Sequence, residues 1–313
     1  MVDGLQLKKY VVSEISKAVI GKEEIIIKTL AAILAGGHIL LEDIPGVGKT
    51  TLAMAISKTL NLNYNRLQFT PDGMPSDVLG YSLYNKEKGV FQYKKGIIMC
   101  NLFLADEINR TSSKTQSALL EAMEEGKITV EGITKDLPNP FIVIATQNPA
   151  GSAGTTLLPD SQLDRFMVKL SMGYPQKNDE IQMLKNKKGG NNPLSDIKQI
   201  LDGQGIVEIR KIVNEIYIHD AIYEYIVDIV NASRTSEWLE LGISPRGTVA
   251  LINMSRAVAF LAGRNYVIPE DVQSIFLSVA SHRVLLSSKA KISKKDVKDI
   301  LTDIIRSITI ARV

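Results

Sequence analysis

Five short apolar runs punctuate the first half of the chain: HILLE (38–42), YNRLQF (64–69), MCNLFLAD (99–106), FIVIAT (141–146) and FMVKLS (166–171). Each is too short for a helix and is followed by a polar cluster, and the stretches between several of them space their apolar residues helically, as Leu52, Ala55, Ile56 and Leu60 do. That alternation predicts an α/β fold around a five-stranded parallel sheet whose strands are buried on both faces. Residues 72–97 interrupt the rhythm with alternating positions around NKEKG, which predicts an inserted β-hairpin. Near the N-terminus, Leu5, Val12, Ile15 and Val19 are spaced like one face of a helix. The stretch IIIKTLAAILAGGHILL is broken by Lys28, Thr29, the Gly36-Gly37 pair and His38, and reads as helix, glycine stop and strand, falling short of a membrane span.

Beyond GYPQKNDE (173–180) the pattern changes to amphipathic helices such as DAIYEYIVDIVNASR. Gly173 and Pro175 mark a linker, dividing the chain into an α/β core (1–174) and a smaller, all-helical domain (175–313). The length of 313 residues accommodates two cores. LKNKKGGNNP is expected as an exposed loop within the helical part.

The composition, 45% apolar and 23% charged, is that of a globular protein, and a net charge of +3 speaks against a strong non-specific grip on nucleic acid or membrane. Cys100, the only cysteine, excludes an intramolecular disulfide and is expected as a small core residue. No secretory leader is readable, so a cytoplasmic location is expected.

The candidate chemistry begins at LEDIPGVGKT, where a strand runs into a glycine loop and then a helix. Backbone N–H groups of Gly46-Val47-Gly48-Lys49-Thr50-Thr51, in a loop that Pro45 helps to shape, would cradle phosphates, with Lys49 on the outer phosphates and Thr50 on Mg²⁺. Asp43 stands where the usual pattern has its first glycine, at the end of the strand and outside the tightest part of the cradle. NLFLADEINR ends a buried strand in Asp106, suited to Mg²⁺, and Glu107, suited to orient and deprotonate an attacking water. FIVIATQNP delivers Asn148, able to hold that water and sense the terminal phosphate. Ser244 and Pro245 suit a helix start, from which Arg246 would meet an anion.

The order EDIPGVGKT, FLADEINR, SALLEAMEE, IATQNP, LLPDSQLDRF and ISPRG resembles the MoxR family of AAA+ ATPases over about residues 10 to 310. An aspartate at position 43 is familiar there. The resemblance implies an AAA+ P-loop core with a helical lid, binding ATP and Mg²⁺, in homo-oligomers, usually hexameric rings, whose sites lie between neighbours. It implies Arg165 as an arginine finger acting on the next subunit, Arg246 as the lid's sensor arginine, and Ile20 and Gly21 as the adenine cover. It further suggests chaperone-like remodelling of partners with von Willebrand A-type domains. Arg110 is a second interface candidate, and Lys86, Lys88, Lys94 and Lys95 make the inserted hairpin either a solvated surface or a grip on an acidic partner. A nucleic-acid motor, a metal-chelatase motor subunit and an ATP-gated scaffold without turnover stand as alternatives, although no nucleic-acid-binding motif is readable.

Overall fold

The structure, a computed structural model, describes residues 3–148, 158–187 and 192–309. Two helices, α1 (Gly4–Ser16) and α2 (Glu23–Leu34), precede the first strand, β1 (Ile39–Glu42), and α3 (Lys49–Thr59) leads to β2 (Tyr64–Gln68). The inserted segment holds α4 (Pro75–Leu79) and the hairpin of β3 (Gly80–Asn85) and β4 (Val90–Lys95). Then come β5 (Leu102–Asp106), α5 (Ser113–Glu125), a second hairpin of β6 (Lys127–Val130) and β7 (Ile133–Asp136), β8 (Ile142–Gln147), α6 (Asp160–Leu163) and β9 (Val168–Leu170).

The sheet is five-stranded and parallel, in the order β2-β5-β8-β1-β9. Its strands alternate between two separate cores. Ile39, Leu41, Leu102, Leu104, Ile142 and Ile144 face one, with α1, α2 and α3, while Leu40, Phe103, Ala105, Val143 and Ala145 face the other, with α5. Burial on both faces holds for β1, β5 and β8. It fails for β2, an edge strand whose residues are half-buried or exposed and include the polar Asn65, Arg66 and Gln68.

The remaining helices are α7 (Lys177–Lys187), α8 (Gly203–Asn214), α9 (Asp220–Thr235), α10 (Pro245–Leu261), α11 (Pro269–Ala280), α12 (Ser288–Ile292) and α13 (Val297–Ser307). Among the described residues this part is not purely helical, since β10 (Leu239–Leu241) and β11 (Leu285–Leu286) pair as a short antiparallel ribbon. Of the loop expected at LKNKKGGNNP, the first residues continue α7 and residues 188–191 lie outside the described residues.

α1 buries Leu7, Val11 and Ile15, and Leu5 is half exposed, so its inner face is displaced from the one the spacing suggested. Packing decides this: a Cβ on Gly4 would come within 1.9 Å of the Phe260 carbonyl oxygen, so the small residue takes the contact with α10 and its neighbour Leu5 is turned outward. α2 ends before Gly36, which has a positive φ of 81°, and no helix among the described residues is long and apolar enough to cross a membrane. Cys100 is buried in the second core, where desolvation pushes its thiol up to about 12.

Candidate nucleotide site

The loop after β1 turns on Gly46 (φ +87°) and Gly48 (φ +97°), values that an L side chain tolerates poorly. Gly48 occupies the N-cap of α3 and offers no side-chain cap, which leaves first-turn N–H groups to an incoming anion. Lys49 is folded back along the loop, its Nζ donating to the carbonyl oxygens of Asp43 (2.7 Å) and Ile44 (3.4 Å). Burial lowers its pKa, opposed by the carboxylates of Asp43, Asp106 and Glu107.

Asp43 is buried and faces away from the cradle. Its Oδ1 accepts hydrogen bonds from the Ser171 hydroxyl (2.7 Å) and the Gly173 N–H (3.0 Å), and its Oδ2 from the Met172 N–H (2.6 Å). The residue in the place of the pattern's first glycine is therefore a tie between the root of the loop and the chain leaving β9. Lys22 holds the same segment from the other side, donating to the carbonyls of Met172 and Tyr174 (2.5 and 2.9 Å).

Parallel register brings the ends of three more strands alongside. Gln68 lies opposite Asp106, and Leu41 opposite Thr146. Asp106 Oδ1 accepts from the Thr146 hydroxyl (2.6 Å), and the same hydroxyl oxygen accepts from the Glu107 N–H (2.9 Å). One threonine thus fixes both acidic residues. Glu107 stands in the left-handed region (φ 56°, ψ 47°) and aims its carboxylate between Arg110 Nη1 (2.8 Å) and Asn148 Nδ2 (3.3 Å). The Arg110 guanidinium draws its pKa below the usual value, desolvation opposes the shift, and the Asn148 hydrogen bond adds to it.

Lys49, Thr50, Asp106, Glu107 and Asn148 line one cavity, together with Arg66 and Gln68. A second, more apolar cavity of about 320 Å³ adjoins it over Pro45, Gly46, Gly48 and Thr51, and is walled by Ile20, Val47, Met172, Tyr174 and Leu184. Polar and apolar compartments joined across a glycine loop suit the phosphates and the base of a nucleotide. The donor set also suits Mg²⁺, which takes few protein ligands beside phosphate oxygens and water: Thr50 and Asp106 would hold it. Gly21 does not line the cavity. Its φ is +69°, and the Asp179 carboxylate lies where a Cβ would stand, so it acts on the shape of the turn.

Arg165 and Arg246 are not brought to this cavity. Arg165 Nη1 lies 3.1 Å from Glu124 Oε2, and Arg246 pairs with the other oxygen of the same carboxylate. Beneath them Asp164 accepts from Ser244, the N-cap of α10, and from the buried Arg283 (2.8 Å), locking both arginine-bearing segments together. Arg110, considered for an interface, is engaged with Glu107 of its own chain. Residue types alone do not reveal Arg66, Gln68, Thr146 or Glu124. Thr146 lies within a motif already singled out, and only the register links it to Asp106.

The sequence profile of the ATPase family associated with various cellular activities (AAA) matches residues 38–168, and that of the AAA lid domain matches residues 231–304. A solved structure from Cytophaga hutchinsonii, provisionally described as an ATPase, superposes with a TM-score of 0.90 at 36% identity, covering 99% of this chain and 97% of that one. Fold and loop thereby define an AAA-type P-loop protein. The uncharacterized protein YeaC of Bacillus subtilis is 45% identical over 96% of this chain and 93% of its own, and Chaperone MoxR1 of Mycobacterium tuberculosis is 33% identical over 96% and 81%. The chain belongs to the MoxR family of AAA+ ATPases.

Proposed function

We propose that this protein hydrolyses MgATP and uses the cycle to remodel or assemble partner proteins in the cytoplasm, as a ring, usually of six, whose sites are completed by neighbours. The observation that carries the reading is the convergence of Lys49, Thr50, Asp106, Glu107 and Asn148, from the ends of three strands, on one cavity. The first-turn N–H groups of α3 and Lys49 bind the phosphates. When bound, Mg²⁺ supplies charge neutralisation on the outer phosphates. Asn148 and Glu107 orient a water, and Glu107 takes its proton as the new P–O bond forms and the bridging P–O bond breaks. Pairing with Arg110 keeps Glu107 ionised but weakly basic, so release of Arg110 would be the activating step.

The two arginines on Glu124 support a shared site, because both stand outside the cavity of their own chain and on one patch. Arg165 is then the finger and Arg246 the sensor, presented together, and the core (1–174) and lid (175–313) are the units that move. The name of the chaperone relative favours protein clients, with von Willebrand A-type partners the first to try. The test is phosphate release per subunit over a wide range of protein concentration, with Glu107→Gln as background. A rate that climbs with concentration and is lost in Arg165→Ala is expected. Normal turnover by Arg165→Ala in assembled rings would rule out the shared site, and background rates throughout, with or without clients, would rule out the enzyme.

A further inference from the structure

Arg66 belongs to none of the motifs that define the site, yet it holds the carboxylate on which the metal depends. It projects from the edge strand β2, two residues before Gln68, and places Nε (3.1 Å) and Nη2 (2.7 Å) on a single oxygen, Oδ2 of Asp106. The other oxygen is taken by Thr146 (2.6 Å), so both are engaged within the protein. Asp106 is largely buried, whereas the Arg66 side chain is 42% exposed and lines the cavity that holds Lys49 and Thr50. The ion pair is thus anchored on the aspartate side and free to leave on the arginine side. An alternative acceptor is at hand, since Nη2 lies 3.4 Å from the Gln68 side-chain oxygen.

We propose that Arg66 competes with magnesium for Asp106, so that binding of the metal with its nucleotide exchanges the Arg66–Asp106 ion pair for a metal–carboxylate contact, direct or through water. The proposal rests on the reading of this cavity as a MgATP site. The physical ground is electrostatic. A guanidinium paired with the carboxylate cancels the charge that attracts a dication and repels the dication itself, and in a half-buried cavity neither effect is fully screened. The metal therefore binds the empty chain poorly and arrives with phosphates, whose negative charge gives the departing guanidinium a new partner. Arg66 is in this sense a positioning residue, acting on the metal through Asp106.

The experiment measures binding and needs no turnover. A fluorescent ADP analogue is titrated against the full chain at increasing Mg²⁺, and the half-saturating Mg²⁺ concentration is compared between wild type, Arg66→Lys and Arg66→Gln. ADP is chosen because it lacks the terminal phosphate that a liberated arginine would also touch. In Arg66→Gln the half-saturating Mg²⁺ is expected to fall on the order of tenfold. Arg66→Lys, a point charge without the fork, should lie between and covers the case in which the glutamine variant does not fold. Adding Asp106→Asn to either variant should abolish the gain. An unchanged or higher Mg²⁺ requirement, with the analogue still bound, overturns the competition while leaving the nucleotide site intact. Failure of the wild-type chain to bind the analogue at any Mg²⁺ overturns the site and the proposal together.

Discussion

Asp43 shows how much a single position can mislead when it is judged by pattern alone. Replacing it with glycine would restore the common phosphate-loop spacing, yet it would leave the N–H groups of Met172 and Gly173 and the Ser171 hydroxyl without their shared acceptor. Donors stranded in this way cost more than a surface hydrogen bond, and Asp43→Gly is expected to lose about 2–4 kcal/mol. Thermal unfolding should show a lower Tm in the glycine variant, and an unchanged Tm would mean that water replaces the carboxylate. The loop, the acidic pair and Asn148 were readable because each follows a strong apolar run. The role of Asp43 was not, because its partners lie some 130 residues along the chain and are mostly backbone groups without a side-chain signature.

Among the elements, strand register is what turns separate motifs into a site. β8 offers Thr146 to both residues of the acidic pair because it runs parallel to β5 with matched ends, and the sheet order places β1 on its other side. Thr146→Val keeps the shape and β propensity but removes one hydroxyl that serves as donor to Asp106 and acceptor from Glu107. We expect about a 10–100-fold fall in ATP turnover with nucleotide binding largely retained, since the loss is one of positioning. Titration of nucleotide binding beside steady-state kinetics checks this, and equal losses in both would show a collapsed site. The pattern located all five strands, β2 included, but the expected burial on both faces fails at β2, whose Asn65, Arg66 and Gln68 are polar, while β9 at the opposite edge is mostly buried. α1 likewise shows that helical spacing identifies an element before it identifies the inner face.

At the scale of the whole molecule, the seam between sheet and helical domain carries a pH dependence. His282 is buried, its Nε2 lying 2.9 Å from the Phe166 carbonyl oxygen and 2.8 Å from Arg283 Nη1, while its Nδ1 has no partner among the described residues. Desolvation, followed by the neighbouring Arg283 guanidinium, holds its pKa well below the ordinary histidine value, with Lys169 adding slightly and the Phe166 hydrogen bond opposing. The folded chain keeps this ring neutral where the unfolded chain protonates it near pH 6.5. Below that pH the unfolded state binds the extra proton, so stability falls as pH drops from about 6.5 toward the depressed folded-state value. In a Tm-against-pH profile, His282→Gln should show a shallower acid limb than wild type. Equal slopes would place the acid sensitivity elsewhere. Arg283 beside it joins Asp164 and the carbonyls of Phe166 and Met167, so the same seam sets where Arg165 and Arg246 stand.

Local sequence by itself determined most of the elements and the residue types that each strand end carries: the glycine loop, Lys49 and Thr50, the Asp106-Glu107 pair, Asn148, and the change from alternating to helical pattern after Gly173. These are short-range properties, set by periodicity, glycine conformation and residue type. Tertiary structure alone decided which groups meet. The Arg66–Asp106 pair, the Asp43 tie to residues 171–173, the Thr146 bridge and the sharing of Glu124 by two arginines all join positions far apart in the chain. Such contacts depend on strand order and packing, and the same residue types in another register would face different partners.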